Sequence, residues 1–197
     1  DGIHKALEHF GILAREKVFT SSDHHFNKVK EFHSVMDEST QEEPIAWSPQ
    51  DARYRAGFKL EELVEFLRAA SNSEEDFNSS VAYLHQALDK AADKVRSKSQ
   101  AEVSLVGQVD ALIDTLYFTY GSFVLMVVDP EQLFDIVHRA NMGKIFPDGK
   151  AHFDPVTHKI LKPDDWEEKY APEGAIKEEL ERQIQAYQRS IEQKEEN

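Results

Sequence analysis

The chain has 197 residues, enough for one well-packed domain with appendages and short of two full-sized ones. Its 23 Lys and Arg against 37 Asp and Glu leave a formal charge of −14, which repels phosphate backbones and anionic lipid, so neither nucleic acid nor a membrane is an expected partner. Cysteine is absent, which excludes disulfides, thiolate metal sites and cysteine nucleophiles and makes the cytoplasm the expected location.

The first residues, Asp1-Gly2-Ile3-His4-Lys5, carry no apolar secretory segment, and the longest apolar-rich stretch, Leu116 to Val128, is too short to cross a bilayer. Helical periodicity begins at residues 26–37, where Phe26, Val29, Phe32, Val35 and Met36 recur at three- and four-residue intervals. Ser48-Pro49-Gln50-Asp51 supplies an N-cap, a proline at the first helical position and an acid three residues after the cap, so a second helix is predicted from Pro49 to about Ala70. Ser71-Asn72-Ser73 stops it. A third helix is predicted over roughly 80–97, and a fourth over Leu105 to Val128. The fourth is apolar on most faces and therefore expected at the centre of the fold, with Gly121 admitting a close neighbour.

Asp129-Pro130 opens a fifth helix that ends near Met142, where Gly143 is expected to take the left-handed conformation that terminates helices. The segment 143–172 is rich in Pro, Gly and Asp and reads as an ordered loop with one helical turn near Trp166. A charged helix follows over 175–196, with Ile176, Leu180, Ile184, Tyr187 and Ile191 on one stripe that requires a partner, either the rest of the bundle or a second copy of the chain. Nothing reads as a strand. The fold class is all-α, a helical bundle with a C-terminal loop and charged helix.

The second helix carries Glu61, Glu62 and Glu65, three carboxylates on one side at spacings that repel one another. The fourth carries Asp110 and Asp114 one turn apart in a helix too apolar for a surface, where aspartate requires a cation. If these helices pack together, five carboxylates converge, and hard oxygen donors in that number suit Mg²⁺ or Mn²⁺. Two bland readings compete: a solvated acidic edge, and a salt-bridge network using Arg53, Arg55, Lys59 or Arg68. A carboxylate-bridged di-iron centre would need Glu-x-x-His pairs, whereas position 68 is arginine and position 117 is tyrosine. The pairs His24-His25 and Asp135-x-x-His138 are not read as metal sites.

EExxE at 61–65, followed some fifty residues later by Ile113-Asp114-Thr115-Leu116-Tyr117, resembles the all-alpha nucleoside triphosphate pyrophosphohydrolases, the MazG-like group that includes phosphoribosyl-ATP pyrophosphohydrolase and dimeric dUTPases. The resemblance extends to Val29-Lys30-Glu31-Phe32-His33, to Val137 through Lys144, and to Pro147-Asp148-Gly149-Lys150. It covers roughly residues 26–165 and implies that Glu61, Glu62, Glu65 and Asp114 are catalytic and hold Mg²⁺. It implies too that Asn141 and Lys144 contact the substrate, the lysine at phosphate. The family's second motif is usually Glu-x-x-Asp, which would place a glutamate at 111. That residue is Ala111 here, and Asp110 is the nearest acid able to substitute as a metal ligand.

The activity implied is Mg-dependent hydrolysis of a nucleoside triphosphate to the monophosphate and pyrophosphate, by a homodimer or homotetramer. The rival from another class is a non-catalytic helical regulatory or interaction module fused to a phosphatase. Residues 1–13 resemble the C-terminal tail of Cof-type haloacid dehalogenase phosphatases, without that superfamily's catalytic Asp-x-Asp. The expected organisation is thus an N-terminal segment at 1–25 that is the tail of a preceding phosphatase domain, a pyrophosphohydrolase domain at 26–165 and a helical extension at 166–197.

Overall fold

Short polar side chains set where the helices begin. In the computed structural model, which describes residues 21–37, 41 and 43–195, Asp23 accepts from the backbone N–H groups of His25 and Phe26 and opens α1 (His24–Met36). Ser48 accepts from the Asp51 N–H, with Pro49 behind it, and opens α2 (Pro49–Ala69). Ser73 does the same for Asp76 at the head of α3 (Glu74–Lys98), six residues earlier than the periodicity predicts. One short Ser71-Asn72-Ser73 segment thus ends one helix and caps the next. The remaining helices are α4 (Leu105–Met126), α5 (Glu131–Met142), α6 (Trp166–Tyr170) and α7 (Glu173–Glu195). Among the described residues there is no strand, only an isolated bridge between Phe153 and Ile160. The fold is all-α. No helix among the described residues is long and apolar enough to cross a membrane.

The chain divides into two compact units, and the division falls inside α4. The unit Gln41–Tyr117 contains α2, α3 and the first half of α4. Its α2 and α3 pack as a hairpin, closed by an Arg68–Glu74 ion pair and by the Ser71 hydroxyl donating to the Leu67 carbonyl at 2.7 Å. Before α2, the Trp47 N–H donates to the Gln108 Oε1 at 2.8 Å, and the Gln108 amide donates back to the Trp47 carbonyl at 3.0 Å. That reciprocal pair ties the loop to the start of α4.

The other unit comprises the described residues before Gln41 and everything from Phe118 onward. Here α5 packs on both α1 and α7. His25 stacks on Phe134 at 4.1 Å between centroids and shares a 2.9 Å hydrogen bond with the Tyr120 hydroxyl. Lys28 pairs with Asp135, and His138 Nε2 lies 3.3 Å from Glu31. The two histidine-containing pairs of the sequence therefore serve the packing of α1 on α5. Gln183 joins α7 to the entry of α5, accepting from the Asp129 N–H and donating to its carbonyl. Residues 1–13, with their phosphatase-like tail, lie outside the described residues.

The expectation that α4 is buried at the centre is not met within one chain. Val106 is 80% accessible, Tyr117 76% and Leu125 87%, and a Cβ added at Gly121 would meet no atom within 4 Å. The α7 stripe is used only in part: Ile176 and Leu180 are half-buried, whereas Ile184, Tyr187 and Ile191 are exposed.

Candidate functional site

The candidate residues fall on three helices. Glu61, Glu62 and Glu65 occupy the C-terminal half of α2, and Asp110 and Asp114 the first half of α4, all in one unit. Among the described residues no group of three or more His, Asp or Glu side chains is already gathered to hold a metal ion. The donor chemistry suits a hard divalent cation, since every candidate is a carboxylate.

Three of the basic residues offered by the salt-bridge reading, Arg55, Lys59 and Arg68, make other contacts. Arg55 lies over the rings of Trp47, 6.0 Å to the centroid, and Phe58, 5.7 Å. Arg68 is held by Glu74 and lies over Phe77 at 5.0 Å. Lys59 donates to the Arg55 carbonyl. Partial burial, together with the charge of Arg55, holds the Lys59 ammonium below its ordinary pKa.

Between the N-terminal half of α2 and the start of α4 runs a mainly apolar groove of about 500 Å³, lined among others by Trp47, Arg55, Lys59, Gln108, Ala111 and Thr115. Ala111, the position where a family glutamate was expected, faces this groove. Sequence reasoning missed the cluster of Trp47, Arg55, Lys59 and Gln108. Only the one-turn spacing of Arg55 and Lys59 is visible in sequence, since the Trp47–Gln108 pairing spans 61 residues.

In the other unit, Asn141 and Lys144 stand together at the end of α5, with the ammonium donating to the Asn141 Oδ1 at 2.8 Å. The one-turn separation lets the amide oxygen preorient the cation. Gly143 departs from expectation. Its φ of −64 and ψ of −12 are right-handed, so no left-handed turn requires glycine there. The requirement comes from Tyr170, whose Cγ would lie 2.3 Å from a Cβ at 143. After Lys144 the chain forms a tight turn, Phe146 to Lys150. The Gly149 N–H donates to the Phe146 carbonyl, and Gly149 itself takes the left-handed φ of 77. Bonding from the His152 ring and from the Lys150 N–H holds the Asp148 carboxyl below its ordinary pKa.

Comparison with known proteins gives a consistent assignment. Residues 29–141 match the family profile of phosphoribosyl-ATP pyrophosphohydrolase. This span contains all five carboxylates and ends on Asn141. Among solved structures, the chain is similar to a protein from Exiguobacterium sp. 255-15 named as a "putative NTP pyrophosphohydrolase", at 34% identity and a TM-score of 0.76, covering 85% of this chain and 99% of that one. No match is found among curated proteins.

Proposed function

Because the chain belongs to the phosphoribosyl-ATP pyrophosphohydrolase family, we propose that it hydrolyses a nucleoside triphosphate, or a related nucleotide, to the monophosphate and pyrophosphate with Mg²⁺ as cofactor. The observation that carries this reading is the family match over the segment holding both acidic motifs, reinforced by a 34% identical neighbour aligned over nearly its whole length. Glu61, Glu62, Glu65 and Asp114 would hold the ion, with Asp110 in the place of the family glutamate. Bound there, Mg²⁺ supplies charge neutralisation for the triphosphate and a polarised water. One glutamate of the cluster accepts the proton of the attacking water. Lys144, oriented by Asn141, binds a phosphate oxygen of the substrate.

The active form is a homo-oligomer in which a second copy covers the exposed apolar faces of α2 and α4. The accessible area supports this. Leu60, Leu63 and Phe66 of α2 and Val106, Tyr117 and Leu125 of α4 are all exposed large apolar residues. Cytoplasmic location is the setting in which such a cysteine-free nucleotide hydrolase would operate. The test is a panel of canonical and damaged nucleoside triphosphates assayed for pyrophosphate release with and without Mg²⁺. Release that requires the metal supports the proposal, and no release from any substrate at any metal concentration contradicts it.

A further inference from the structure

Four residues among those described are buried: Met36, Ala140, Gly143 and Trp166. Three of them meet at one place, the end of α5, directly beneath Asn141 and Lys144. The last carbonyls of a helix have no partner within it. At this end the Arg139 carbonyl accepts from the Gly143 N–H and the Asn141 carbonyl from the Lys144 N–H. The Ala140 carbonyl is taken by a side chain 26 residues downstream, the Trp166 indole, whose Nε1 donates at 2.8 Å in a buried hydrogen bond. One turn further along α6, the Tyr170 ring lies against the Gly143 backbone where any side chain would intrude. Cations cover the rings, Lys162 Nζ at 3.9 Å from the centroid of Trp166 and the Arg139 guanidinium at 5.9 Å from that of Tyr170.

In a chain that elsewhere buries little, this is a concentrated investment in holding one helix end. It comes in addition to the packing of α5 on α1 and α7. What α6 adds is fixity at positions 140 and 143, which alternate with the two residues read as substrate contacts. We propose that Trp166 and Tyr170 are positioning residues for phosphate binding: α6 clasps the last turn of α5 and sets where the Asn141–Lys144 pair presents its cation. This rests on the reading of Lys144 as a phosphate contact. A displacement of about 1 Å at such a contact can cost as much as two orders of magnitude in rate.

The test compares Gly143→Ala, Tyr170→Ala, the double variant, Trp166→Phe and Lys144→Ala. The readouts are KM and kcat for the canonical triphosphate turned over fastest, and the calorimetric Kd for the Mg²⁺ complex of inorganic tripolyphosphate. Gly143→Ala pushes a methyl into the Tyr170 ring, and the expected result is a rise of about tenfold in KM and in the tripolyphosphate Kd, with kcat changed much less. Removing the ring should relieve it, so that the double variant returns to the level of Tyr170→Ala alone. Simple loss of packing would instead make the double variant worse than either single one. Trp166→Phe keeps an aromatic ring and removes only the N–H donor, and it should raise KM while leaving Mg²⁺ affinity unchanged. It carries the test if Gly143→Ala does not fold. Lower stability of Gly143→Ala and Trp166→Phe with wild-type KM and Kd would overturn the clasp while Lys144→Ala remains impaired. Wild-type KM in Lys144→Ala would overturn the phosphate reading beneath it, a distinguishable failure.

Discussion

Glu62 stands three residues before Glu65 and next to Glu61, and like charges at helical spacing destabilise a helix by about 0.2–0.5 kcal/mol per pair. Retaining them is costly unless a cation is to be shared. Glu62→Gln should therefore leave the fold intact and as stable as before or slightly more so, while pyrophosphate release falls by orders of magnitude. Steady-state kinetics and denaturant unfolding of the same variant check both halves, and unchanged turnover would remove Glu62 from the machinery. At this scale the acidic residues stand out in sequence because their repulsion is written in the spacing. Gly143 was legible only as a special position. Its reason, the Tyr170 ring 27 residues on, is a tertiary contact that helix-termination chemistry imitates in sequence. Trp47 and Gln108 were missed for the same cause, since each satisfies the other's backbone or amide groups across a distance no periodicity spans.

At the scale of elements, caps made the helix starts readable wherever a serine or aspartate had one role. Ser48 both accepts from the Asp51 N–H and donates to the Asp51 carboxylate at 2.6 Å, so Ser48→Ala should cost about 1 kcal/mol of stability, measured by denaturant unfolding. A loss below about 0.2 kcal/mol would show that α2 is held by packing alone. The start of α3 was misread because Ser73 follows a helix stop and precedes Asn78-Ser79-Ser80, weak helix formers that packing against α2 overrides. Part of the stability of α7 is charge-dependent. Hydrogen bonds from Arg182 and then Gln183 hold the Glu179 carboxyl at about 2 instead of the ordinary 4.5. Because its folded value is depressed, its contribution is complete above about pH 4.5 and is lost as pH falls toward 2. Protection of the α7 amides, corrected for intrinsic exchange, should fall across that window in the wild type and fall less in Glu179→Gln. An identical profile in the variant would assign the acid sensitivity to another group.

At the scale of the whole molecule, the bundle class was legible from the 3.6-residue period, but the burial of α4 was not. Apolar residues around a helix report that it will be covered on all sides without reporting which chain covers it. Val106, Tyr117 and Leu125 are exposed within one chain, and on the homo-oligomer reading a second copy covers them, so assembly and activity are expected to be lost together. Leu125→Glu should give a smaller species by sedimentation with pyrophosphate release abolished, whereas a monomer of full activity would refute the homo-oligomer as the active form.

Hydrolysis between the α- and β-phosphates is the central claim, and ³¹P nuclear magnetic resonance of the products tests it most directly. The triphosphate that the wild-type protein consumes in the presence of Mg²⁺ should yield nucleoside monophosphate and pyrophosphate in equal amounts, with no diphosphate at any time point, and Glu62→Gln should yield neither. Accumulation of diphosphate with orthophosphate, or equal product from Glu62→Gln, would contradict it.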